Sequence, residues 1–79
     1  MTTPRLVYMA NQVAGFFASY PEQEAIDGTF GHLKAFWDPR MRREIEAHLA
    51  NASGAGLSPI ALAAVKRLAE MDAAMKKSA

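Results

Sequence analysis

The side chains of this sequence that could do chemistry are few, and their spacing fits no catalytic or metal-binding motif. The sequence contains two histidines, His32 and His48, and no cysteine. Neither histidine lies in an H-E-x-x-H or comparable ligand spacing, so we expect both to pack or to cap a backbone group. Without cysteine, the chain cannot supply a thiolate zinc site, a Cys-ligated iron–sulfur cluster or a cysteine nucleophile.

The acidic residues and the glycines have structural interpretations as well. Arg40 and Glu44, like Arg42 and Glu46, fall at the i,i+4 spacing of surface ion pairs. Each such pair contributes roughly 0.2–0.5 kcal/mol to a helix. The glycine-containing segment 54–56 follows no predicted strand, which a nucleotide-binding loop would need, so it is typical of a linker. The sequence therefore predicts no catalytic, cofactor-binding or metal site.

The segment FWDPRMRR at 36–43 is the strongest indication of function. An Asp-Pro pair is a strong helix start, because the carboxylate accepts a free backbone N–H and proline has none to leave unpaired. Three arginines then occupy the opening turns, where the helix dipole disfavours cations by roughly 0.3–1 kcal/mol each. Arginine beside tryptophan is typical of an anchor at a protein interface, with guanidinium groups pairing with partner carboxylates. We predict that a partner is contacted by Trp37, Asp38, Arg40, Arg42 and Arg43. A lone tryptophan in a small bundle is also often a core residue, and that alternative stays open.

The first predicted helix suggests a second contact surface. Its polar side carries no charge after Arg5. Surface helices usually carry Lys and Glu, whereas the cores of protein interfaces are depleted of charge and enriched in Tyr. Burial of this helix within its own bundle is the alternative, but a chain of 79 residues has little core to offer. We predict a second partner patch at Tyr8, Asn11 and Gln12.

Proline punctuation and apolar periodicity divide the chain into four helices. The predicted helices cover residues 3–19, 22–37, 39–49 and 59 onward, with a break near Gly28 and a loop at 51–56. Cap-and-proline pairs open the first, third and fourth helices at Thr3-Pro4, Asp38-Pro39 and Ser58-Pro59. The apolar stripes predicted to face inward include the aromatic residues Phe16, Phe17, Tyr20, Phe30 and Phe36. We predict an all-α fold, a small bundle of about four short helices that forms a single domain over residues 1–79.

Size and charge narrow the class of protein further. A net charge of +1 is low for a dedicated nucleic-acid binder, which is normally clearly basic. The longest uncharged stretch, residues 6–21, includes Asn11 and Gln12 and falls short of the ~20 apolar residues of a membrane span. The N-terminus lacks a signal-peptide pattern, so we predict a soluble, cytoplasmic protein. Two alternatives stay open. One is a self-associating bundle that forms a homodimer; the other is a nucleic-acid-binding helical module that uses Arg40, Arg42, Arg43, Lys66 and Arg67.

Three sequence blocks together resemble one known family. The first is MANQVA at 9–14, followed by two phenylalanines, and the last is GLSP at 56–59, followed by Ala64, Val65 and Leu68. The middle block runs from His32 to Arg42 and is the most specific, because it contains FWDPRMR. In these blocks the chain resembles the delta subunit of the NAD-dependent formate dehydrogenases that contain molybdenum or tungsten. The likeness omits residues 19–31 and the tail after residue 68.

The resemblance implies a small accessory subunit that joins the large catalytic and diaphorase subunits of formate dehydrogenase and supports assembly or stability of the complex. In this family, formate is oxidised at the pterin-bound molybdenum or tungsten of the alpha subunit. Electrons then pass through iron–sulfur clusters to FMN and NAD on other chains. The resemblance therefore implies that this chain is non-catalytic and that its partner subunits carry these cofactors.

Overall fold

The computed structural model of the protein describes residues 2–78. Four helices follow one another in this part of the chain: α1 Thr3–Phe17, α2 Glu22–Phe36, α3 Pro39–Ala52 and α4 Pro59–Ser78. No strand occurs among the described residues, and the predicted all-α bundle of four helices is confirmed. None of these helices is both long enough and apolar enough over its described residues to cross a membrane.

The helix starts follow the predicted cap-and-proline pattern in two cases and depart from it in one. Asp38 Oδ1 accepts a hydrogen bond from the Met41 backbone N–H at 3.0 Å and so caps α3. Ser58 Oγ accepts one from the Ala61 N–H at 3.3 Å at the start of α4. The predicted cap at Thr3 is wrong, because Thr3 is already helical and its hydroxyl donates to Glu44 Oε2 at 2.9 Å. The start of α1 is thereby tied to α3.

Helix α2 runs without the break predicted near Gly28. A methyl group at Gly28 would lie 2.6 Å from ring atoms of Phe17, so this glycine allows α1 and α2 to pack closely. The Thr29 hydroxyl donates to the Ala25 carbonyl at 2.8 Å and is thereby satisfied inside the core. Packing against α1 therefore outweighs the low helix propensity of glycine at this position.

Helix α3 continues three residues beyond the predicted end at Leu49, to Ala52. It ends where Ser53 takes a left-handed backbone conformation (φ 55°), with the Ser53 N–H donating to the His48 carbonyl. The positive φ angles continue at Gly54 (70°) and Gly56 (89°), which glycine adopts without a steric penalty. These residues turn the chain toward α4.

The core lies where the four helices meet. The buried residues come from every helix, and five of them are alanines, so the helices pack with little side-chain bulk between them. The buried apolar residues are Leu6, Ala10, Ala14, Ala25, Leu33, Trp37, Ile45, Ala61, Ala64, Val65 and Leu68.

Three aromatic side chains predicted to face inward lie on the surface instead. Phe16 and Phe36 are each 73% exposed, and Tyr20 is 51% exposed. The buried line of α1 begins at Leu6 and continues at every fourth residue through small alanines. Because each residue turns a helix by about 100°, Phe16 falls well away from that line. The apolar stripe of α1 is thus wider than the buried face of the helix, and the part that stays exposed includes the Phe16 ring.

Candidate partner-binding surface

Asn11, one of the residues predicted to contact a partner, is occupied within the chain. Its Oδ1 accepts from the Ser58 N–H at 2.8 Å, and its Nδ2 donates to the Gly56 carbonyl at 2.9 Å. On the other side of the same loop, His48 Nε2 lies 2.7 Å from the Ala55 carbonyl oxygen. Asn11 and His48 therefore hold the loop between α3 and α4, and the contact of His48 with a backbone group agrees with the structural role, packing or capping, that we expect for it.

Trp37 lies in the core, with only 5% of its surface exposed. Its backbone N–H donates to the Leu33 carbonyl at 3.0 Å, and it belongs to the same buried cluster as Leu33 and Ile45. A side chain with so little exposed surface cannot fill a pocket of a partner while the fold stays as it is, so we do not keep Trp37 as a partner contact. The alternative of a core tryptophan describes its position.

Arg42 is also engaged inside the bundle. Its Nε lies 3.8 Å from Asp72 Oδ2, and both side chains are less than one quarter exposed. This pair joins α3 to α4, so Arg42 is held against the body of the protein. This contact indicates a structural role for Arg42 in place of the predicted partner contact.

Three exposed polar residues of the 36–43 segment form an edge at the start of α3, here called the arginine edge: Asp38, Arg40 and Arg43. Neither Arg40 nor Arg43 has an ion-pair partner within the described part of the chain. Glu44, the predicted partner of Arg40, accepts its hydrogen bond from Thr3. The arginine edge thus offers two cations that are unpaired within the described residues, beside a capping carboxylate.

A second exposed surface runs along α1 and is here called the α1 face: Tyr8, Gln12, Gly15 and Phe16. Tyr8 is 60% exposed, and its hydroxyl accepts a hydrogen bond from Gln12 Nε2 at 2.9 Å. No member of the α1 face is charged. A largely exposed phenylalanine on such a face is unusual for a solvated helix and typical of an interface core.

The α1 face continues onto α2 across a shallow apolar depression. Phe16 and Gln12 line it from α1, and His32 lines it from α2. The ring of His32 lies 4.8 Å from the ring of Phe36, which is itself largely exposed. Sequence reasoning missed Phe16 and Phe36 as surface residues, since it placed every regularly spaced aromatic inward. The alanines that continue the buried line of α1 are a signal that could have located Phe16.

The opposite side of α2 is closed by the chain itself. The Arg67 guanidinium of α4 lies over the Phe30 ring, 4.3 Å from its centroid, and also bonds the Asp27 carboxylate. Gln23 donates to the same carboxylate at 3.1 Å. These two hydrogen bonds, first that of Gln23 and then that of Arg67, lower the pKa of Asp27 below its ordinary value of 3.8. This cluster of Gln23, Asp27, Phe30 and Arg67 is here called the α2–α4 seam.

Comparison with known protein families shows to which family the chain belongs. The family model for the NADH-dependent formate dehydrogenase delta subunit FdsD matches residues 5–65. The chain belongs to this delta-subunit family. No curated protein and no solved structure matches it. The resemblance seen in the three sequence blocks is thereby confirmed.

The match places this delta subunit among the components of an NADH-dependent formate dehydrogenase and includes both exposed surfaces. The matched range contains α1, α2, α3 and the beginning of α4. Among the described residues, no three or more His, Asp or Glu side chains come together as a metal-binding group, and the sequence has no cysteine. What the exposed groups of the delta subunit offer is contact area, hydrogen bonds and positive charge.

Proposed function

We propose that this delta subunit is a non-catalytic accessory subunit that supports assembly or stability of a cytoplasmic NADH-dependent formate dehydrogenase through protein–protein contacts. The chain acts in this role as a single helical domain over residues 1–79. Its partners are the large catalytic and diaphorase subunits, which carry the molybdenum or tungsten pterin, the iron–sulfur clusters, FMN and NAD.

The α1 face is the observation that carries the proposal. Two exposed aromatic rings, Tyr8 and Phe16, lie on one uncharged helix face, and the apolar surface continues to Phe36. Contiguous apolar surface on a small soluble protein usually marks a binding site, because leaving it in water is unfavourable. Burial of apolar area contributes about 25 cal/mol per Å², so covering these rings would stabilise a complex.

The arginine edge supports the same proposal by its charge. Arg40 lies in the first turn of α3, where the helix dipole disfavours a cation, and neither Arg40 nor Arg43 has a compensating ion pair in the described chain. A carboxylate of a partner would supply that pair, and bidentate arginine–carboxylate contacts are among the stronger polar contacts. We therefore assign partner contact to Tyr8 and Gln12 on the α1 face and to Asp38, Arg40 and Arg43 on the arginine edge.

The two alternative functions have less support from the contacts. A nucleic-acid-binding module would use Arg42 and Arg67, yet each of these arginines pairs with an aspartate of the chain itself. A self-associating bundle could cover the α1 face with a second copy of the chain. Self-association alone, however, would not explain why the chain belongs to a family of formate dehydrogenase subunits.

The proposal is tested by isolating the tagged chain from its native host grown with formate, at moderate salt, and identifying the bound proteins by mass spectrometry. We expect the metal–pterin subunit of formate dehydrogenase in near-stoichiometric amount. Recovery of the chain alone, while the enzyme is present in the lysate, would contradict a permanent subunit role.

A further inference from the structure

We propose that Gly15 marks the point where a helix of a partner formate dehydrogenase subunit, presenting an apolar and uncharged face, crosses α1 at close range. This inference rests on the proposed function and adds to it the kind of element that is bound and the place where it is bound.

Gly15 has no explanation inside the chain, in contrast to most of the other glycines. Gly28 makes room for the Phe17 ring, and Gly54 and Gly56 have positive φ angles. A methyl group at Gly15 would meet no other side chain within 4 Å, and its backbone is helical. Glycine inside a helix is unfavourable relative to alanine, so the fold itself does not favour glycine at this open position.

The surroundings of Gly15 provide the shape that a crossing helix needs. On one side lies an apolar groove of about 240 Å³, lined by Gly15 together with Ala14, Ala18 and the first residues of α4 up to Ile60. On the other side lies the depression of about 330 Å³ between Phe16 and His32. Helices pack by placing rows of side chains into grooves, at a distance set by the side chains at the contact. A missing Cβ at the centre lets the two backbones come closer than they otherwise could.

The chemistry of the α1 face determines the character of the occupant. Its side chains are aromatic, amide or absent, and the groove beside Gly15 exposes almost only apolar atoms. A charged partner residue placed there would lose hydration without gaining a counterion, which is costly. An apolar, uncharged helix is therefore the complement of this surface, whereas the arginine edge suits an acidic one.

Gly31 supplies a matched control on a different face of the protein. A methyl group at Gly31 would also meet nothing within 4 Å, and the residue is also helical and exposed. Its neighbours one turn away include Asp27 and Lys34, both exposed, so the surface around it is charged and solvated. The two glycines thus share their local geometry and differ in what surrounds them.

The first measurement is the thermal stability of the free chain with Gly15→Ala or Gly31→Ala. Both substitutions should raise the melting temperature, by about 2–8 °C, because each improves helix propensity in open space. A fall in melting temperature for Gly15→Ala would show that the glycine is needed by the fold, and would overturn the inference.

The second measurement is competition for the enzyme in the native host. Differently tagged wild-type and variant chains are expressed together, and their ratio in purified formate dehydrogenase is measured. We expect Gly15→Leu to be outcompeted by at least about tenfold, while Gly31→Leu enters the complex at near parity. Equal incorporation of the two variants would overturn the assignment of Gly15 to the contact.

Two further outcomes separate this inference from the proposed function. If wild-type chain itself does not enter the enzyme, the subunit role fails, and the inference fails with it for that reason. If the wild-type chain enters but Gly15→Leu only converts a free homodimer into a monomer, the occupant is a second copy of this chain and the proposed partner helix is wrong.

Discussion

Two phenylalanines of the same helix, Phe30 and Phe36, show how differently the protein treats the two sides of α2. Phe30 is half-buried, and the Arg67 guanidinium covers its ring in the α2–α4 seam. Phe36 is 73% exposed and lies beside the His32 ring. On one side the chain completes its own packing with charged residues, and on the other it leaves aromatic rings in water.

This difference distinguishes structural cations from cations that are available to a partner. Arg42 and Arg67 reach aspartates on other helices and tie α4 to the bundle. Among the described residues, the α1 face and the adjoining depression have no such pair, and their polar groups include the Tyr8 hydroxyl, the Gln12 amide and the His32 ring. We infer that partner binding and internal stability depend on separate residues, and substitutions can test that separation.

The largest expected effect is the loss of the buried tryptophan. Trp37→Ala should destabilise the free chain by about 3–5 kcal/mol, enough to unfold much of it, because it leaves a cavity in the core. Urea denaturation followed by circular dichroism measures this change. A fully folded, equally stable variant that fails to bind formate dehydrogenase would instead restore Trp37 as a direct partner contact.

The next effect compares the two phenylalanines directly. Phe30→Ala should lower the free energy of unfolding by about 1–3 kcal/mol, because both apolar burial and the contact with Arg67 are lost. Phe36→Ala should change it by less than about 0.5 kcal/mol, since the ring is largely exposed.

Association with the native complex should show the opposite order of the two variants. Phe36→Ala should weaken association more than Phe30→Ala does, although the Phe36→Ala chain stays folded. Denaturation of the free chains and recovery of the enzyme with each variant measure the two quantities. Similar losses of stability for both variants would remove the distinction between the two sides of α2.

The smallest effect is the pH dependence of the α2–α4 seam. Because Gln23 and Arg67 lower the pKa of Asp27 in the folded chain, the stabilisation from this carboxylate is fully present above the ordinary value of 3.8. It is lost as the pH falls through the lowered pKa. Asp27→Asn should therefore remove part of the acid sensitivity seen below that value, measured as the melting temperature against pH. An unchanged acid profile in the variant would mean that this pair contributes nothing in solution, as exposed pairs often do.

The fold could be predicted from the sequence because its signals are local. The Asp38 and Ser58 caps lie within three residues of the N–H groups that they accept from, and proline fixes the residue that follows each cap. Gly28 misled the prediction of a break, because the reason for a continuous helix is the Phe17 ring of another element. Propensity alone contains no such information.

The candidate surface could be predicted only in part. The absence of charge on α1 after Arg5 is visible in the sequence and predicts a contact surface at Tyr8 and Gln12, and both of these residues are exposed. Which apolar residues fall outside the core depends on the packing phase of the helix, so Phe16 and Phe36 were placed inward. Asn11 and Arg42 contact residues distant in sequence, Ser58 and Asp72, and residue type alone does not reveal such contacts.

The most direct test of the central claim is site-specific photocrosslinking in the native complex. A photoreactive phenylalanine derivative is placed at Phe16 on the α1 face and, as a control, at exposed Lys34 on the solvated face of α2. We predict a crosslink from position 16 to another subunit of formate dehydrogenase and little or none from position 34. A crosslink to that subunit from position 34 alone, with position 16 unreacted, would contradict the account.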